Sequence, residues 1–430
     1  MFFQRLHRRR MPTGIALGLV YGLFLIAGIA QAAIVPMLPR LSSHFGLSAS
    51  QTALLLALPG LATLAVSVPS GIAADRVGAR RVTLVAGALL CLSCVAQATP
   101  SLAALLAGRI AFGVAFGVVW TSGMAWLADL DEARGGSGLG PAVTCSSVGI
   151  MLGPAIGGVL AQHVGIGAPF AAIASGAALV VVPLALGTTA ARRATPPPAV
   201  EPADLPLEVA YFQRPVSDGP APVTPRVLLA LIRRPRVAAA AGALVVSGAV
   251  SSASQLLISG GLHQLGMSTG RIGLAFSASA ICYIAVSALI VRMRDRAQTL
   301  KFNALTTAAL ALSLLPALAD GGAVTLVLAL MLTAAPRAVI STIAYSLASG
   351  QRSEGGSDGI VFGMLNGAWA AATVLMPLLA GAVQQAAGDE VAYLAVIIPS
   401  LAVAGFLVAG AAERVPLLGS IGLRGGSGLR

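Results

Sequence analysis

Twelve stretches of about 18 to 25 residues, each nearly free of charge, constrain this 430-residue chain more than any other feature. They cover residues 13–33, 52–73, 82–99, 102–126, 139–161, 167–187, 237–257, 271–291, 303–319, 323–347, 359–383 and 391–411. A helix of that length crosses the roughly 30 Å hydrocarbon layer of a bilayer, because it rises about 1.5 Å per residue. Lipid offers a peptide group no hydrogen-bond partner, so only helices and closed barrels can span it. A barrel would need segments of alternating polarity about ten residues long, and none is present. Only 10% of the residues are Asp, Glu, Lys or Arg, too few to cover a soluble protein of this size. The expected fold class is all-α: a polytopic membrane protein of 12 transmembrane helices.

The basic residues set the orientation. With the N-terminus inside, 23 of the 27 Lys and Arg fall in cytoplasmic segments or tails. Arg40 and Arg271 then lie outside, and Arg109 and Arg337 lie within spans. The reverse topology would invert that bias, so both termini are expected to be cytoplasmic. The net charge of +12 accordingly points to insertion and to contact with anionic membrane lipids. It does not point to nucleic acid, for which no recognition module is visible. The opening "MFFQRLHRRRMPTG" resembles a signal peptide, but its apolar run is too long and 11 further spans follow, so an uncleaved first helix is expected. Cys91, Cys94, Cys145 and Cys282 all fall inside spans and read as small buried thiols rather than a redox pair.

A change of composition divides the chain. Residues 188–236 form a Pro-rich stretch of mixed charge that cannot bury a core, and they read as a cytoplasmic linker. The end of that stretch, "VLLALIRRPR", reads as a short interfacial helix. On either side lie two six-helix bundles, 13–187 and 237–411, flanked by a basic N-terminus, 1–12, and a tail, 412–430. The halves resemble each other. "GPAIGGVLAQHVG" (153–165) aligns with "MPLLAGAVQQAAG" (376–388) at an offset of 223, matching Pro154 with Pro377, Gly158 with Gly381, Gln162 with Gln385 and Gly165 with Gly388. Four matches in the fifth span of each half favour an internal duplication. Duplicated halves of this kind are expected to be pseudo-symmetric, with a substrate site between them near mid-membrane.

The loop between the second and third spans reads Gly71-x-x-x-Asp75-Arg76-x-Gly78-x-Arg80-Arg81. Gly71 would permit a close helix approach. Gly78 would permit a turn that a residue with a Cβ resists. Asp75 could face the positive end of a neighbouring helix, and the arginines could bind phosphate or carboxylate. At every fixed position this spacing resembles the signature loop of the major facilitator superfamily. The resemblance implies a latch that closes the cytoplasmic side while the outer side is open. Its partners would be Asp129, Asp131 or Glu132 at the end of the fourth span, and the segment opening at Gly359. The corresponding loop of the second half carries Arg292 where the Asp would fall, in keeping with a single latch.

In the fifth span, Gly149-x-x-x-Gly153-Pro154-x-x-Gly157-Gly158 resembles that family's antiporter motif, found mainly among proton-driven drug exporters. Physically it supplies one flat face for tight packing and a proline bend. "VPMLPRLSSHFGLSASQ", with Pro36, Pro39 and Gly46, is also similar to that 12-helix exporter group. Arg109, which opens Arg-x-x-x-Gly113-x-x-x-Gly117, sits where the family carries an arginine associated with proton transfer; snorkelling to the outer interface is the alternative.

None of the 15 Asp and Glu falls within an expected span, so the usual carboxylate carrier of protons or cationic drugs is missing; Gln31, which cannot titrate, is the polar residue of the first span. Arg337 lies deep in the tenth span, and spacing from the flanking loops puts it at the level of Trp120 in the fourth. The family resemblance, in which both spans face the central cavity, implies that the two residues face each other across it. An intramembrane cation without a carboxylate favours an anionic ligand group. The cavity candidates are Gln31, Trp120, Arg337, Tyr345 and Asn366, with Trp126, Gln255, Tyr283 and Trp369 as further possibilities. The leading expectation is a secondary transporter working by alternating access, exporting small amphiphilic or drug-like compounds in exchange for protons. The alternative is a carrier of a small organic anion; a membrane enzyme or sensor comes last. No nucleotide-binding loop, nucleophile–base pair, cofactor site or metal cluster is legible. The expected setting is a bacterial cell membrane and the expected state a monomer.

Overall fold

The computed structural model describes residues 11–132, 139–187, 225–292, 299–348 and 358–412. Among them, 12 helical stretches are long and apolar enough to cross a membrane, and no strand occurs. In the first half these are Thr13–Ala33, Ala49–Val77, Ala79–Ala98, Leu102–Val118 continued as Met124–Glu132, Leu139–His163 and Ala168–Leu186. In the second half they are Pro235–Gln264, Thr269–Arg292, Leu300–Leu312, Ala323–Ala348, Asp358–Ala387 and Asp389–Ala412. They are numbered below as spans one to twelve.

Several helices outrun the apolar stretches that announce them. Span two, expected over 52–73, runs Ala49–Val77, and span seven, expected over 237–257, runs Pro235–Gln264. Hydropathy locates the part that must avoid water, whereas caps decide where a helix stops. Ser48 starts span two with a reciprocal capping box to Gln51, and Gly78, at φ 100°, ends it. Span one continues through a turn at Val35–Met37 into the helix Leu38–Phe45. The short helix expected before span seven lies at Pro225–Ile232, with Leu231 buried against the second bundle.

Each half closes around its own apolar core. Leu23, Phe24, Phe112, Trp126 and Ile173 pack together in the first, and Leu244, Val250, Leu330, Ile340 and Val396 in the second. Lipid tails are as apolar as leucine, so close backbone approach must supply much of the attraction between spans. Span five shows how. A methyl added at Gly149, Gly153 or Gly157 would fall onto the carbonyl of Leu25, Ile29 or Ala33 in span one.

Thr13, Gly187, Pro235 and Ala412 end their spans on one side of the molecule, here called the terminal side. The bundles meet toward the other side. Ser259 Oγ donates to the Val35 carbonyl, the Ala155 N–H to Ser277 Oγ, the Gly270 N–H to Gln162 Oε1 and Ser50 Oγ to Gln385 Oε1. All four lie between mid-span and the far rim. The terminal-side parts of spans two and eight carry exposed apolar residues. Ile72, Val77 and Leu289 are 48%, 53% and 54% exposed, and a methyl at Gly71 would meet nothing within 4 Å. Among the described residues, the hydrogen bonds that join the two bundles thus lie in the half of the molecule away from the terminal side.

Candidate functional site between the bundles

The loop at 71–81 splits into two kinds of residue. Asp75, Arg76 and Arg81 are exposed. Arg80 is not: its Nη2 donates to the carbonyls of Leu184, at 3.1 Å, and Gly187, and its guanidinium lies 6.0 Å from the Trp126 ring. Arg80 thus caps the last carbonyls of span six, where a cation is also favoured by the helix dipole. Span eleven opens at Asp358, just before Gly359, while the side chains there and those of Asp129, Asp131, Glu132 and Arg292 lie outside what is described. Gly78 takes the positive φ expected of it. Gly71 departs from expectation. A methyl there would meet nothing within 4 Å, so Gly71 makes no close approach among the described residues.

The span-five motif is buried throughout, at Gly149, Gly153, Pro154, Gly157 and Gly158. Its first three glycines face span one, whereas Gly158 turns to span eight and would meet the Thr269 carbonyl if it carried a methyl. The motif therefore serves both the packing of the first bundle and the seam between bundles.

Arg109 is 2% exposed, which excludes snorkelling. Its Nε donates at 2.8 Å to the carbonyl of Leu55. That carbonyl lies four residues before Pro59, which has no N–H to give it, so the proline removes one bond from span two and Arg109 restores it from span four. One turn further along span four, a methyl at Gly113 would strike Pro59 itself, and Thr63 Oγ1 donates to the Gly113 carbonyl at 2.8 Å. The Arg-x-x-x-Gly-x-x-x-Gly pattern is thus a template for a proline-interrupted neighbour.

Arg337 has a different setting. It stands 11 residues before Ala348, the terminal-side end of span ten, and hence roughly 17 Å along the helix from that end. Its guanidinium lies 5.4 Å from the Tyr283 ring in span eight, and Tyr283 Oη is 2.6 Å from Ser341 Oγ. The side chain is only half-buried, and among the described residues no carboxylate pairs with it. Tyr345, two turns on, donates to Asn366 Oδ1 of span eleven at 3.5 Å. Gln31 and Asn366 are both exposed. Trp120 instead packs inside its own bundle, with its ring 5.2 Å from Phe24 and 6.2 Å from Phe116. No hydrogen bond or ring contact joins it to Arg337. Of the further candidates, Trp126 is buried beneath Arg80, while Trp369 is 40% exposed.

Two features escaped the sequence. Val119–Gly123 forms a π-helical turn within span four, carrying Trp120, a distortion often found at functional sites. Nothing in hydropathy marks it. The second is a further repeat at an offset of 220 in the loops opening spans two and eight. Gly46 and Gly266 both take positive φ, at 64° and 78°, and Ser48 and Ser268 each accept from the backbone N–H three residues on. The shared "G-x-S" was legible but too short to stand out. Among the described residues, no group of three His, Cys, Asp or Glu side chains is placed to hold a metal.

The comparisons with known proteins agree with this architecture. A model of the Major Facilitator Superfamily matches residues 20–263. An uncharacterized MFS-type transporter of Schizosaccharomyces pombe is 34% identical over 174 residues, 38% of this chain and 38% of that protein. This match therefore spans well under half the relative's length. A bacterial homologue of the human lysosomal transporter Spinster, solved inward-facing and unoccupied, superposes with a TM-score of 0.69 at 15% identity, covering 93% of this chain and 95% of that one. The nucleoside transporter NupG superposes at 0.68 with 14% identity, covering 92% and 99%. At such identities the two structures are similar in fold alone.

Proposed function

Because the chain belongs to the major facilitator superfamily, a family of membrane transporters and not of enzymes, we propose that it carries small amphiphilic compounds bearing an anionic group. The bundles rock about a central site in which Arg337 receives that group. The observation that carries this reading is the setting of Arg337: near mid-span, half-buried, against the Tyr283 ring, with no carboxylate partner among the described residues. A buried cation is costly unless something compensates it, and a ligand anion would do so in the loaded state. Tyr283 would hold the guanidinium through its ring face while Ser341 fixes the phenol.

The basic-residue bias supports a cytoplasmic terminal side, and the exposure of Ile72, Val77 and Leu289 near that side is in keeping with an inward-facing state. Its latch residues Asp75 and Arg76 would be exposed because the latch has been released. They would engage the acidic end of span four and the start of span eleven when the terminal side closes. We place the protein as a monomer in a bacterial cell membrane, in contact with anionic lipid.

A second reading, proton-driven export of cationic amphiphiles, rests on the buried Gly149–Gly158 motif of span five. The two readings separate in proteoliposomes under a pH gradient followed with a quenched dye. Collapse of the gradient on adding organic anions, lost in Arg337→Gln, would support the first. Collapse with cationic amphiphiles alone, unaffected by Arg337→Gln, would replace it with the second.

A further inference from the structure

The contacts at the far rim obey both internal repeats at once. Span five lays Gly158 and Gln162 on the first two residues of span eight: a methyl at Gly158 would meet the Thr269 carbonyl, and Gln162 Oε1 accepts the Gly270 N–H at 2.9 Å. Span eleven lays Gly381 and Gln385 on the first two residues of span two: a methyl at Gly381 would meet the Ala49 carbonyl, and Gln385 Oε1 accepts from Ser50 Oγ at 2.8 Å. Gly158 and Gln162 map onto Gly381 and Gln385 at an offset of 223, and Ala49 and Ser50 map onto Thr269 and Gly270 at 220. The next turn repeats the relation, with Gly273 against Gly158 and Ala53 against Gly381.

We propose that Gln162 and Gln385 are positioning residues for the transport cycle, the paired clamps that hold the far side shut. Each combines a glycine, which lets two helices from opposite bundles approach to backbone contact, with a glutamine one turn on. The glutamine ties the rim to the start of the facing helix. At Gly270 it accepts a backbone donor that a helix N-terminus leaves free. At Ser50 a hydroxyl takes the place of that donor. The two seams lie on opposite flanks of the bundle interface, so rocking the halves apart must break both. Being neutral and exposed, the clamps are weak enough to open in every cycle. The proposal is independent of what the cavity carries.

Distance measurements between spin labels test it without any substrate. In the full chain with Cys91, Cys94, Cys145 and Cys282 replaced by alanine, one label pair at Val164 and Leu265 reads the far rim. A second pair at Val77 and Leu289 reads the terminal side; all four positions are exposed. In Gln162→Ala or Gln385→Ala the population with a long far-rim distance should rise about two- to tenfold, the range expected for one net hydrogen bond. The double variant should show the product of the two factors, with the terminal-side distance shortening in step. Gln162→Glu and Gln385→Glu keep an acceptor oxygen at each place and should stay closed, which a loss of packing would not reproduce. Far-rim distances unchanged in the double alanine variant would overturn the proposal, as would glutamate variants that open as far as the alanine ones.

Discussion

Arg109 and Arg337 are the same residue type at comparable risk inside a membrane, yet their surroundings differ. The Nε of Arg109 meets a carbonyl that Pro59 has deprived of its helical partner, while its buried Nη1 has no hydrogen-bond partner among the described residues. Arg337 also has a proline beside it, Pro336 on its own helix. Its guanidinium lies over the face of Tyr283, and its side chain is half-buried. The proposed contrast is that a buried arginine serves the fold where it meets a carbonyl of a neighbouring span, and is available to a ligand where it does not.

The largest effect that would break this contrast is on transport. Arg337→Gln should reduce uptake of organic anions into proteoliposomes by at least about 30-fold, since a charge-assisted hydrogen bond to a charged group contributes roughly 1.5–3 kcal/mol and the desolvated charge itself is lost. Its melting temperature should stay near that of the wild type. Next, Arg109→Met should lower stability by about 1.5–3 kcal/mol, because the Leu55 carbonyl is left without a partner in a buried place. Denaturation in detergent would read that loss, with transport per folded molecule largely kept. A cycle with Pro59→Ala sharpens the claim. Restoring the N–H at position 59 gives Leu55 its helical partner back, so Arg109→Met should cost about 1 kcal/mol less in that background than alone. Equal costs in both backgrounds would show that the carbonyl is not what Arg109 serves. The smallest effect is expected at Tyr283→Leu, which removes a ring face worth about 0.5–1 kcal/mol and should weaken anion uptake two- to fivefold.

Much of this architecture was legible in the residues. Span count followed from length and apolarity, and the turn at Gly78 from its place after Asp75 and Arg76. The duplication followed from the glycine and glutamine pairs at an offset of 223, which the far-rim seams then reproduce in space. What escaped was direction around the helix axis. Counting residues puts Trp120 and Arg337 at one depth, but not on facing surfaces, and Trp120 turns into its own bundle against Phe24. The π-helical turn at Val119–Gly123 contributes to such failures, since one added residue per turn shifts every later side chain around the axis. Partnerships between distant spans were hidden for the same reason. Pro59 and Arg109 are each conspicuous, yet 50 residues of chain separate them and only packing shows that one answers the other. Gly71 escaped differently, because its spacing in the loop says nothing of which neighbour, if any, its helix face meets.

The contrast between the two arginines can be tested in one measurement: thermal unfolding of the purified protein with and without a panel of amphiphilic organic anions. A ligand that binds only the folded state raises the midpoint according to its concentration over its dissociation constant. Arg109→Met should melt lower than the wild type and still be stabilised by the anions. Arg337→Gln should melt near the wild type and gain nothing from them. If Arg337→Gln retains the full anion-induced shift, or Arg109→Met loses it, the roles assigned to the two residues are wrong.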